Sequence, residues 1–212
     1  MKSVAIFNTV GGVGRTTLAV HLAFRAGAQG VHTHAVNLAR QGDLFFWLNR
    51  GRHPTGTADT FEHSEHLTVM HSPEKVPELP NASFVVYDCP PLVEIVAHIK
   101  PDLWLVPTPA GRRGLDALGV VLHEIGTSGV PIWPIAWAGL DSEAFLPVLR
   151  DKVGHSPNVQ VWDHAIPHSD SFLRAENDLS VVWEAPDQGS GVQELARLCD
   201  GVIAQLGLRP AR

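Results

Sequence analysis

The sequence predicts an α/β protein built on a doubly wound, mostly parallel sheet with helices on both faces. Three observations point there. Short apolar runs alternate with longer helical patterns along the chain. Most of those runs are continuously apolar, as strands buried on both faces are, and do not alternate. A glycine-rich turn, NTVGGVGRTT (Asn8–Thr17), follows the first apolar run and opens a helical pattern. We expect one domain spanning residues 1–212.

The strands are expected at Val4–Asn8, Ala35–Leu38, Leu67–Met70, Phe84–Asp88, Leu103–Pro107 and Ile132–Ala138. Arg15–Gln29, Leu92–Ile99, Gly114–Ser128 and Ser142–Val153 read as helices, joined to the strands by right-handed crossovers. Gly189–Leu206 closes the chain as an amphipathic helix, with Val192, Leu195, Leu198 and Val202 on one stripe. Gly51–Pro80, with its prolines, histidines and weak periodicity, reads as a loop-rich excursion around one short strand.

Composition narrows the function classes. An apolar fraction of 44% in 212 residues suffices for one core. No apolar run is long enough to span a bilayer and no secretory leader is evident, so a cytoplasmic protein without membrane contact is expected. Two cysteines, Cys89 and Cys199, argue for reduced thiols over a disulfide framework. Within residues 1–52, Lys2 and five arginines face Asp43 alone, leaving +5, and the net charge of −6 then puts −11 on the rest. A basic N-terminal third suits a phosphate ligand, while the acidic remainder makes nonspecific DNA binding weak or absent. Arg25 and Arg52 are expected to be solvated surface.

The glycine turn carries chemistry. Gly11, Gly12 and Gly14 let the backbone turn sharply and aim its N–H groups, with those of Val13 to Thr17, at an anion. The helix behind adds the positive end of its dipole, and Thr16 offers a hydroxyl to a magnesium ion.

GGVGRTTLAVHLA resembles the deviant Walker A motif of the ParA/MinD group of P-loop ATPases, whose pattern reads KGGVGKTT. FVVYDCPP (Phe84–Pro91) resembles that family's Walker B strand, in which Asp88 would hold the magnesium shell through water. DLWLVPTPAGRRGLDALG (Asp102–Gly119) resembles the strand and loop near the base, bringing in Pro107. The likeness spans almost the whole chain and is to the compact plasmid-partition type. It implies a P-loop NTPase fold and ATP or ADP with Mg2+. It also implies homodimerisation, a protein partner or cargo adaptor, and a role in positioning a cellular cargo. Arg15, Gln41 and Asp88 would be the catalytic positions, and Thr16 and Asp88 the metal ones.

Four departures qualify that reading. Val10 stands where the family keeps the lysine that reaches a partner subunit's phosphates, and Arg15 replaces the lysine on the β- and γ-phosphates. In VNLARQGD, similar to the family's VDTDPQ, Asn37 and Ala39 replace two aspartates while Gln41 is retained. Arginine is a planar fork where lysine is a point charge. Phosphoryl transfer rests on positioning and charge, and a cation donated in trans contributes roughly a thousandfold or more. Nucleotide binding with weak or absent hydrolysis is therefore expected. The alternative is a catalytically inactive pseudo-ATPase acting as an interaction or regulatory scaffold. A metabolic kinase or synthetase would need a substrate cluster that the sequence lacks. Arg40, one residue past Ala39, is either a substitute cation or an exposed arginine.

Weaker signals remain. The histidines and glutamates of Glu62–His71 match no strong metal template. Trp104, Trp133 and Trp137 are expected in the core, as is Trp47 in DLFFWLN, which reads as a short helix; any dimer would draw on apolar surface around Phe45–Leu48. In SFLRAENDLSVVWEAP (Ser171–Pro186), Arg174 sits where the family can contact DNA. A surface arginine paired with neighbouring acids is the favoured reading.

Overall fold

The run Lys2–Ile6 forms β1, with every residue after Lys2 buried. In the computed structural model, which describes residues 1–79, 82–139, 142–154, 156–184 and 189–210, β1 lies inside one eight-stranded sheet. The other strands are β2 (Thr33–Asn37), β3 (Asp59–Ser64), β4 (Leu67–His71), β5 (Phe84–Asp88), β6 (Leu103–Pro109), β7 (Ile132–Gly139) and β8 (Ile166–Pro167). Their order is β3-β4-β2-β5-β1-β6-β7-β8. Every pairing is parallel except β3 with β4.

Helices α1 (Arg15–Ala28), α2 (Asp43–Leu48) and α7 (Ser190–Gln205) share one face with Val4, Ile6 and Val86. On the other face α4 (Arg112–Ile125) and α5 (Ser142–Val153) cover Ala5, Phe7 and Val106. The expected doubly wound sheet is therefore present. It follows from strands such as β5, buried at all five positions, which no single helical layer could dry.

Several expectations change. The segment Gly51–Pro80 holds two strands instead of one (its last residue lies outside the described residues). In β3 exposed and half-buried positions alternate, because it is an edge strand wet on one face, and its polar residues mask the period. The helix expected over Leu92–Ile99 shrinks to α3 (Val93–Val96). α6 (Asp170–Asp178) went unassigned although Ser169 caps it, its hydroxyl accepting from the N–H of Ser171 at 3.3 Å. Ala185 and Pro186, the end of the stretch read with it, lie outside the described residues.

Two surface expectations fall and a third narrows. Trp47 is buried in the core as expected, with Phe45 and Leu48 beside it, which leaves half-buried Phe46 as the part of that stretch a dimer could use. Arg25 is more than solvated surface: it grips Asp200 of α7 through Nε at 2.9 Å and Nη2 at 2.7 Å, and lies over the Trp183 ring. Arg174 is exposed on α6, and no acid pairs with it among the described residues. Trp104, Trp133 and Trp137 are buried as expected. Both cysteines are free and buried.

Candidate functional site

The loop between β1 and α1 emerges at the carboxyl ends of the central strands, where doubly wound sheets open a crevice. Asn8, fully buried, braces it. The Asn8 side chain donates from Nδ2 to the Pro107 carbonyl at 2.8 Å and accepts at Oδ1 from the Val10 N–H at 3.0 Å. Gly12 and Gly14 adopt left-handed backbone, with φ of 71° and 85°. Gly14 has a second reason to lack a side chain, since a Cβ there would stand 2.0 Å from Nε1 of Trp137.

α1 then begins with no side chain capping its first turn and no acidic residue there. Its leading N–H groups are left for an anion, which the helix dipole favours. Beneath the loop, Thr16 donates its hydroxyl to Oδ2 of Asp88 at 2.8 Å. Burial pushes the Asp88 carboxyl up to about 6, while the Thr16 hydrogen bond and nearby Arg15 pull it back down. Burial likewise lowers the Arg15 guanidinium pKa, against the pull of Asp88. Arg15 donates from Nη1 to the carbonyl of Asn8 at 2.8 Å. The residues fit a magnesium–phosphate ligand: an uncapped helix start, a hydroxyl and a carboxylate meet at one point.

The loop floors a cleft of about 600 Å³. Gly11 to Thr17 and Gln41 line it, as expected from the sequence, and α6 supplies the far wall through Phe172 and Glu176. Pro107 lies buried behind the loop, and Pro109, two residues on, reaches the cleft. Trp137, beside Pro109 in the strand register, stacks on Phe172 with ring centroids 6.0 Å apart. Sequence reasoning missed Asn8, Trp137 and Phe172. Only the register of β6 with β7 could have flagged Trp137 as a wall of the site.

Comparisons with known proteins agree with this fold. No family model matches the chain. Over 127 residues it is 32% identical to maintenance of carboxysome distribution protein A from Gloeobacter kilaueensis, a match covering 58% of this chain and 56% of that relative. The aligned stretch thus spans little more than half of the relative's length. Among solved structures, an ATP complex of a Cyanothece McdA variant superposes with a TM-score of 0.73 at 16% identity, covering 100% of this chain and 98% of the other. The Pyrococcus furiosus cell division ATPase MinD gives 0.73 at 14% identity, covering 96% and 99%.

The chain has the MinD-type P-loop fold.

Its departures from the ParA/MinD pattern now have positions. Val10 is half-buried at the loop's start. Asn37 ends β2 opposite Asp88, donates from Nδ2 to the Ala39 carbonyl, and keeps a buried Oδ1 with no partner among the described residues. Arg40 is exposed and does not line the cleft. Among the described residues no three histidine, cysteine or acidic side chains already surround one point. No helix among them is long and apolar enough to cross a membrane.

Proposed function

We propose that this chain binds ATP or ADP with magnesium in the glycine-loop cleft and works as a ParA/MinD-like positioning protein with weak or absent hydrolysis. The Thr16–Asp88 hydrogen bond beneath an uncapped α1 carries the reading. Thr16 and Asp88 would hold a magnesium ion, directly or through water, and the ion would neutralise phosphate charge. Loop N–H groups bind and orient the phosphates, and the Trp137 and Phe172 side of the cleft offers apolar surface to the rest of the nucleotide. Such a protein lets nucleotide state control its contacts with a second copy and with a cargo adaptor, in the cytoplasm, with little affinity for DNA. The relatives' roles in carboxysome distribution and cell division support a positioning task of this kind.

The second reading, a pseudo-ATPase scaffold, is favoured by where Arg15 and Asn37 spend their donors. Each bonds a backbone carbonyl of its own loop, which spends donors that a phosphoryl-transfer site would direct at developing charge. Calorimetry and turnover on one sample separate the two readings. Saturable ATP or ADP binding with magnesium supports the first. No affinity up to millimolar nucleotide would leave only the scaffold.

A further inference from the structure

Far along the sheet from the glycine loop, a second cavity of about 410 Å³ opens where β2, β3 and β4 meet the β3–β4 turn. On this face α4 and α5 pack over β6 and β7 at the other end of the sheet. The strand period sorts the side chains. Glu62 of β3 lines the cavity, whereas its neighbour His63 turns to the opposite face, where Nδ1 lies 3.0 Å from the Leu48 carbonyl and the ring packs on Phe24. Buried His71 packs near Phe45. The metal group weighed from the sequence, Glu62–His71, is thus split between two faces.

The parallel register of β2 with β4 builds a different group in its place. Thr33 pairs with Leu67, which brings His32 beside His66 with ring centroids 4.9 Å apart and planes at 71°. Two imidazoles that share one ion at ordinary metal–nitrogen distances, across a roughly tetrahedral angle, stand about 5 Å apart. Glu62 and Glu65 line the same cavity, and Thr68 holds Glu62 through a 2.8 Å hydrogen bond to Oε2. No lysine or arginine lines it among the described residues. Among the described residues, His34 and His66 each keep a buried Nδ1 without a hydrogen-bond partner, in a place where buried nitrogens are normally satisfied.

We infer that His32 and His66 form a two-imidazole chelate for a divalent transition ion such as Zn2+ or Ni2+. Imidazole suits these ions, whereas magnesium prefers an all-oxygen shell, so this site and the glycine loop do not compete for one metal. Water completes the coordination. Because His32 directly precedes β2 and His66 lies in the β3–β4 turn, a bound ion ties the edge hairpin to the body of the sheet.

The test is calorimetry and thermal unfolding of the nucleotide-free full chain with Zn2+ and, separately, Ni2+ at neutral pH. We expect one saturable ion per chain that raises the unfolding temperature, with affinity falling at least about tenfold in either His32→Gln or His66→Gln. His164→Gln, distant from the cavity, should leave it unchanged. His32 is exposed, so its variant tests the site even if His66→Gln folds poorly. No saturable binding below about 1 mM ion, or binding that survives the His32 substitution, overturns the inference.

Discussion

Arg15 donates from Nη1 to the carbonyl oxygen of Asn8, 2.8 Å away, so the cation of the glycine loop is bonded back onto the strand end that launches it. A lysine, with one terminal nitrogen, could not hold that carbonyl and a phosphate in the same way that a five-donor fork can. The bond stiffens the loop and spends part of the charge that a phosphoryl-transfer site would direct at its substrate.

Turnover should therefore sit near background. Reverting Val10→Lys, Arg15→Lys and Ala39→Asp together is expected to raise it well above any single reversion, since groups acting as a unit are non-additive. Steady-state phosphate release measures this. Robust wild-type activity abolished by Arg15→Ala would show that arginine runs this loop unaided.

Thr16→Ala removes the hydroxyl that bonds Asp88. The magnesium-dependent part of nucleotide affinity should drop about tenfold, the scale of a lost hydrogen bond to a charged group, with little change in binding measured in chelator. Equal losses with and without magnesium would mean that Thr16 acts on the loop and not through the ion.

Gly14→Ala meets two obstacles, a φ of 85° and the indole of Trp137. Urea unfolding should show a destabilisation of about 2–3 kcal/mol. In a Trp137→Leu background the cost should shrink, leaving about 1–2 kcal/mol for the left-handed backbone. An undiminished cost in that background would deny the steric part.

His21, fully buried in α1, lies with Nδ1 2.6 Å from the Thr17 carbonyl and accepts the Val182 N–H at Nε2. Burial lowers its pKa from 6.5 to about 4. The unfolded chain then binds more protons between those values, so His21's contribution is whole above pH 6.5 and is lost as pH falls toward 4, about 3 kcal/mol in all. Asp88, pushed up to about 6, works the other way and adds stability as pH falls below 6. Comparing wild type with His21→Gln by urea midpoint at pH 7.5 and 4.5 separates them. The variant should lose less, or gain, on acidification, and parallel losses in both proteins would remove His21 from the account.

A low-salt gel shift with random duplex DNA is expected to show no tight complex, because the acidic balance beyond residue 52 opposes phosphate contact. Tight sequence-independent binding would contradict this, and Arg174→Ala, which alters an exposed arginine with no acidic partner among the described residues, would then be the variant to examine.

Much of the frame was decided by local patterns. The continuous apolar runs within β1, β5 and β6 can be dry only between two helical layers, and that implied a doubly wound sheet. Gly12 and Gly14, between a strand and a helix, pointed to an anion cradle, because glycine enters their left-handed backbone conformations most easily. Asp88, at the end of a buried strand, was equally legible. Other features depended on residues distant in sequence. Asn8 braces the loop through a carbonyl 99 positions away, Trp137 presses on Gly14, and His32 meets His66. Each contact is created by strand order and register, which follow from packing of the whole sheet and leave no period in the local sequence. For the same reason the burial of Phe45 beside Trp47 was fixed only once α2 was seated against α1.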